Sequence, residues 1–327
     1  MSSPELYCII GIGVLQGAWQ LLSRKSVSFE SRYCRAIYEE IHLFVATYHV
    51  IRLQRCAVIY FFVSTTMFAV CFRNVRFVFM RVSIVVPAYN EEKTVELILT
   101  KLAATPLDME VIVVDDASTD RTWEILQRLS QQEPFSRYRF LRHERNQGKG
   151  VGLKTAFAHT TGELVTVQDA DMEYDPQDLP ALVQKWEEVA QTGKKTIAVY
   201  GRRNLSQQKF TTRWGNRFLT AVTNLLYGSR IHDMETCYKL MPREIAHALP
   251  MTGRRFEIEP EITSCILQAG YTIYEVPISY TPRVEKKLSP WKDGWPALAM
   301  LLSRRFSKPF RLPVTVTVAS PSEKATV

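Results

Sequence analysis

From Arg81 onward, short β-branched runs alternate with stretches of helical period, and this alternation restricts the possible folds more than any other feature of the chain. Val82-Ser83-Ile84-Val85-Val86, ended by Pro87, reads as a buried strand. Helical spacing follows from Glu91 to Ala103. The same sequence of events repeats: strand 111–114 and helix 119–129, strand 138–141 and helix 150–160, strand 164–167 and helix 178–190, then strand 197–200. Strands spaced this way by helices predict an α/β fold, with a mostly parallel sheet covered on both faces. Ligands of such sheets bind at the carboxyl ends of the strands. The residues just after each strand are therefore where chemistry is expected.

After the first strand stands Pro87-Ala88-Tyr89-Asn90-Glu91-Glu92, in which Asn90 can cap the next helix. After the second stands Asp115-Asp116-Ala117-Ser118-Thr119-Asp120. Ser118 suits a cap, but capping does not explain two adjacent carboxylates, each of which must be solvated or paired. Asp116 can accept hydrogen bonds from a base or ribose. After the third comes Asn146-Gln147-Gly148-Lys149-Gly150, a glycine turn that places Lys149 near a helix N-terminus, where phosphate binds well. The spacing is not that of a Walker A loop. After the fourth comes Gln168-Asp169-Ala170-Asp171-Met172-Glu173. Acidic groups at every second position line one side of an extended segment, and they repel unless a cation lies between them. Mg²⁺ or Mn²⁺ suits such oxygen ligands and shares its shell with substrate phosphates. The ion would neutralise a diphosphate leaving group.

The net charge of +8 fits phosphate-rich ligands or an anionic membrane surface. Nucleic acid is the rival, but the chain has no zinc-ligand spacing, no RNA-binding aromatic motif and no long basic run. Six cysteines without a C-x-x-C pair fit a reduced, cytosol-facing domain. Residues 1–80 differ from the rest. Tyr7–Leu22 is apolar but broken by Gln16 and Gln20, and Cys56–Phe72 is a cleaner apolar run between arginines. Three readings of this extension stand: a membrane anchor, helices lying on the domain or membrane interface, or a start-site artefact upstream of Met80. Beyond Gly201, Phe218–Tyr227 and Trp295–Phe306 combine apolar and aromatic residues with nearby arginines, a pattern suited to a membrane surface or to core packing. The tail 311–327 is rich in Ser, Thr, Val and Pro and reads as disordered.

Together the segments VSIVVPAYNEE, VIVVDDASTD, RNQGKGVGLKTAF, TGELVTVQDADMEYDP, YGRR, VPISYTPR and WKDG resemble family 2 glycosyltransferases of the GT-A fold. They are most similar to the polyprenyl (dolichyl) phosphate mannosyl- or glucosyltransferases. The resemblance covers residues 81–306 and sets the expected domain at 81–310. One departure is Glu285-Lys286-Lys287-Leu288-Ser289-Pro290, where relatives commonly carry Gly-Lys-Lys.

The resemblance implies that Pro87, Ala88, Tyr89, Glu91, Asp116, Lys149 and Asp169 contact the nucleotide sugar. Asp169, Asp171 and Glu173 would hold Mg²⁺ or Mn²⁺. Arg202, Arg203 and Arg213 would hold the acceptor's phosphate, through bidentate hydrogen bonds. Asp233 falls where many relatives keep an acidic acceptor-side group. It is a base, a positioning group or an arginine partner, and with Asp169 and Asp171 it completes the expected catalytic set. His232 reads as a structural neighbour, and Glu257 and Glu259 either reach the site or face solvent. The implied reaction is inverting transfer of a hexose from GDP-mannose or UDP-glucose to a polyprenyl or dolichyl phosphate, at the cytoplasmic face of a membrane and without nucleic acid. The alternatives are a saccharide or protein acceptor, a nucleotidyltransferase, and a non-catalytic binding protein.

Overall fold

Val82, Ile84 and Val86 pack on one side of the sheet and Val85 on the other, as period two requires of a strand buried on both faces. The computed structural model describes residues 80–283 and 290–312, with 290–293 described by backbone alone. The two apolar N-terminal runs, four of the six cysteines, the 285–289 segment and the tail from 313 lie outside the described residues. Cys237 and Cys265 are buried and free.

In chain order the main elements are β1 (Val82–Ala88), α1 (Val95–Ala103), β2 (Met109–Asp115), α2 (Thr122–Leu129), β3 (Arg139–Arg142), α3 (Lys149–Phe157), β4 (Leu164–Val167), α4 (Leu179–Ala190) and β5 (Ile197–Arg203). They continue with α5 (Phe210–Tyr227), β6 (Lys239–Pro242), α6 (Arg243–Ala248), α7 (Ile258–Gln268), β7 (Thr272–Ile278) and α8 (Pro290–Phe306). The seven strands lie in the order β3-β2-β1-β4-β6-β5-β7. All pairs are parallel except those of β6, which runs antiparallel to both β4 and β5. Helices α1, α2 and α4 cover one face, and α3, α6 and α7 cover the other. Helices α5 and α8 share a smaller core around Leu219, Ala297 and Leu301.

The expected parallel α/β architecture is present, and the first five strands fall on the runs read for them. β6 is the element the pattern does not announce: four buried residues that include a lysine and a proline. Two expected caps are absent. Asn90 sits at φ 53° with its Oδ1 accepting from the Thr119 N–H at 2.9 Å, and Ser118 Oγ accepts from the Asn90 N–H at 3.0 Å. Both side chains thus sew the loop after β1 to the loop after β2 instead of capping a helix. Among the described residues no helix is long and apolar enough to cross a membrane.

Candidate active site

In register, Ala88 at the end of β1 pairs with Asp115 at the end of β2, and Val85 pairs with Val167 at the end of β4. The loops after these strands therefore open on one edge of the sheet. Pro87 and Ala88 are still in β1, and Tyr89 is exposed just beyond it.

Asp115 is fully buried and paired with Arg142 Nε at 3.1 Å. Asp116 accepts from His143 Nδ1 at 2.7 Å, from Gln147 N at 2.9 Å and from Gly148 N at 2.7 Å. These contacts explain the paired carboxylates: one anchors an arginine and the other closes the turn before α3. The three donors leave Asp116 at most one lone-pair site for a nucleotide.

Gly148 has φ 93°, and a Cβ at either Gly148 or Gly150 would collide with the carbonyl oxygens of Arg254 and Gly253 respectively. The glycines are therefore needed for a backbone crossing as well as for a turn. The crossing aims Lys149 inward. Its Nζ lies 2.9 Å from Asp169 Oδ1 and 3.1 Å from Glu259 Oε1.

The row Asp169, Asp171, Glu173 is not extended as the alternation suggested. Met172 adopts φ 62°, and Asp171 Oδ1 accepts from the Glu173 N–H at 3.1 Å, so the segment turns. Glu173 is carried away to accept from the Tyr280 hydroxyl at 2.8 Å and from the Arg283 N–H at 2.9 Å. Among the described residues no three His, Cys, Asp or Glu side chains gather closely enough to hold an ion. The Glu173 carboxylate is engaged by Tyr280 and Arg283, yet it still lies near enough to Asp171 to raise that carboxyl. Asp169 and Asp171 remain. Burial, then Asp169 and Glu173, push the Asp171 carboxyl up to about 7. A carboxylate so disfavoured is one that a cation would relieve. Two carboxylates plus substrate oxygens fit Mg²⁺ or Mn²⁺, which usually take only one or two from the protein.

Arg283 was not singled out in the sequence, although it closes the VPISYTPR segment. Its Nε donates to the Asp171 carbonyl at 2.9 Å, and its Nη1 donates to Glu91 Oε1 at 3.2 Å. Glu91 also accepts from Thr94 Oγ1 at 2.9 Å, so its carboxylate serves this latch.

On the opposite side, Arg203 donates through Nε and Nη2 to the two oxygens of Asp233, both at 2.7 Å, and its guanidinium lies over Tyr280. Both side chains are buried, at 7% and 2% exposure. The pair is closed, so Arg203 is not placed to grip an acceptor phosphate and Asp233 is an arginine partner. Arg202 is exposed. Arg213 lies in the first turn of α5 over Phe210, and its buried Nε has no hydrogen-bond partner. His232 is exposed and bonds Glu275 at 2.6 Å.

Glu259 reaches the site, 5% exposed, bridging Lys149 and Lys239, whose Nζ is 2.5 Å from its Oε2. Glu257 instead accepts from the Arg254 N–H. Glu235 lies among Lys239, Glu259, Arg203 and Asp233, and its Oε1 is enclosed without a donor. Three cations (Lys149, Lys239, Arg203) pair with three carboxylates (Asp169, Glu259, Asp233), and among the described residues no ion pair is formed by Glu235. Burial, reinforced by Glu259 and Asp233 against Lys239 and Arg203, pushes its carboxyl from the usual 4.5 up to about 7. The folded protein thus retains a proton that the unfolded chain releases between pH 4.5 and 7. Stability is lost as pH rises through that window. A Glu235→Gln variant is expected to flatten this loss and to be more stable than wild type at pH 8 by ~2 kcal/mol. Urea unfolding at pH 5 and pH 8 checks it.

The family model for glycosyl transferase family 2 matches residues 83–249, just over half of the chain. The dolichol-phosphate mannosyltransferase of Pyrococcus furiosus is 34% identical over 107 residues, 32% of this chain and 30% of that protein. The undecaprenyl-phosphate 4-deoxy-4-formamido-L-arabinose transferase of Enterobacter sp. is 28% identical over 62% of this chain and 60% of its own length. The chain thus spans less than two thirds of either relative. Glucosyl-3-phosphoglycerate synthase from Mycobacterium tuberculosis, solved with Mn²⁺, uridine-diphosphate and phosphoglyceric acid, superposes with a TM-score of 0.56 over 70% of this chain and 80% of its own. At 23% identity that likeness is one of fold, and it bears out the expected GT-A architecture. With the family model across the sheet and its acidic strand ends, the chain belongs to glycosyl transferase family 2.

Proposed function

We propose that this chain transfers a hexose from a nucleoside-diphosphate sugar to a polyprenyl or dolichyl phosphate, inverting the anomeric carbon, at the cytoplasmic face of a membrane. The observation that carries the reading is the Asp169/Asp171 pair at the carboxyl end of β4, with Asp171 pushed up to about 7 by burial and by Asp169 and Glu173. Both curated relatives named above carry a polyprenyl-type lipid phosphate in their names.

Asp169 and Asp171 would hold Mg²⁺ or Mn²⁺, which would offset charge developing on the departing diphosphate. The chain's own residues supply position. Arg283 ties the loop after β1 to the loop after β4, so Glu91 and Asp171 keep a constant separation. Asp116 holds the turn from which Lys149 projects. An attacking phosphate oxygen needs no base, since it is already ionised near neutral pH. Catalysis is then alignment plus stabilisation of the leaving group. Arg202 and Arg213 are the arginines left for the acceptor phosphate. A lipid acceptor also calls for a membrane surface: α5 exposes Phe210, Trp214 and Phe218, α8 exposes Trp295 and Phe306, and Arg213 and Arg217 lie among them.

A hydroxyl acceptor on a saccharide or protein is the second reading. The observation favouring it is Glu235, whose unpaired oxygen and value of about 7 suit a general base. One experiment separates the two: incubation of the full chain with Mg²⁺, radiolabelled GDP-mannose or UDP-glucose, and polyprenyl phosphate or a saccharide panel. Label is expected in the lipid phase. Label found only on saccharide overturns the lipid-phosphate reading.

A further inference from the structure

Lys149 is a cation already seated in the acidic site. Its ammonium contacts Asp169 at 2.9 Å, and its side chain is 18% exposed. The same ammonium lies 3.1 Å from Glu259, so it sits between two carboxylates that favour its charged form. The carboxylate expected to accept a divalent ion therefore already has a counter-ion. A cation arriving at Asp169 meets a like charge on the same oxygen pair, in surroundings that screen poorly.

The backbone cannot relieve this conflict. Lys149 stands between Gly148 and Gly150, both pressed against residues 253–254, and the Gly150 N–H donates to the Arg254 carbonyl at 3.0 Å. With the backbone pinned on both sides, Lys149 can withdraw from Asp169 through its side chain. Glu259 keeps that movement short, because it holds Lys149 on one oxygen and Lys239 on the other. If Lys149 leaves Asp169 it needs another anion within the reach of one side chain. A diphosphate at the metal site is such an anion.

We infer that Lys149 and a divalent cation compete for Asp169, and that a nucleoside diphosphate relieves the competition by taking the lysine ammonium. Metal and diphosphate then bind as a mutually dependent pair, each weakly without the other. The inference rests on Asp169 and Asp171 being the cation site, and it adds a positioning residue that enforces joint loading. By linkage, the factor by which the diphosphate improves metal binding equals the factor by which metal improves diphosphate binding.

The test is Mn²⁺ binding to the full chain, followed by the EPR signal of free Mn²⁺, with and without GDP or UDP and with no acceptor present. Wild type is expected to bind Mn²⁺ about tenfold more tightly when the diphosphate is present. Lys149→Met is expected to bind Mn²⁺ alone about tenfold more tightly than wild type does, and to lose most of the gain from diphosphate. Thermal unfolding verifies that the variant is folded. If it is not, Lys149→Gln, which retains a donor towards Glu259, takes its place with the same expected direction. Mn²⁺ binding to a folded variant that is no tighter than wild type overturns the inference while leaving the cation site intact. Absence of Mn²⁺ binding to wild type under every condition removes the cation site, and the inference with it.

Discussion

An Asp171→Asn variant is expected to fold normally and to transfer sugar roughly 10²–10³-fold more slowly than wild type. The amide keeps the size of the carboxyl and its Oδ1 acceptor for the Glu173 N–H, so the turn survives. It removes the charge that a divalent ion and a diphosphate require. The same change relieves an unfavourable charge in the metal-free protein. Asp171 titrates near 7 in the fold against 3.8 ordinarily, so its ionisation costs stability as pH rises through that window. The variant should therefore melt higher than wild type at pH 8 in chelator while being less active with Mg²⁺. Steady-state transfer assays and thermal melts read the two opposed effects. A rate above about a tenth of wild type would remove Asp171 from the mechanism.

Arg203→Met is expected to cost about 3–5 kcal/mol of stability. Asp233, 2% exposed, would be left with no cation in contact, and Arg203 is the only side-chain donor the structure gives it among the described residues. At roughly 2–4 °C per kcal/mol for a domain of this size, the melting temperature should fall by about 10 °C. Arg203→Met combined with Asp233→Asn should recover much of the loss, because the uncompensated charge is gone. Arg202→Met, one residue away but exposed, should leave the melting temperature unchanged and raise KM for the lipid phosphate. Equal melting temperatures for Arg203→Met and Arg202→Met would show that the buried pair contributes nothing, and would return Arg203 to the acceptor.

Much of the donor side was legible because parallel strands buried on both faces leave near-continuous β-branched runs. The runs at 82–86, 111–114 and 164–167 lead directly to the three loops that meet at the sheet edge. What could not be read were partners distant in sequence. Arg203 looked available because Asp233 lies thirty residues further on, and Lys149 looked ready for phosphate because nothing local points it at Glu259. Strand β6 escaped because Lys239 opens it, and a lysine signals solvent unless its partners are known. Here they are Glu259 and the Thr236 carbonyl. The regular spacing of Asp169, Asp171 and Glu173 suggested an extended row, but a left-handed Met172 turns the chain between the second and third carboxylates. Arg283 joins two strand ends from the far end of the domain, which no local spacing encodes.

The crossing of residues 148–150 over residues 253–254 bears on how such a site can change over generations. Two segments a hundred residues apart touch backbone to backbone, with no side chain between them. Residues 148 and 150 cannot accept bulk until the 253–254 backbone has moved, so single substitutions there meet a barrier that only paired changes avoid. The lysine between the two glycines is constrained by its carboxylate partners Asp169 and Glu259 and not by the crossing itself. Variation in the chemistry of this position is therefore separable from variation in its placement, and a lineage could retune the charge beside Asp169 without rebuilding the fold that presents it.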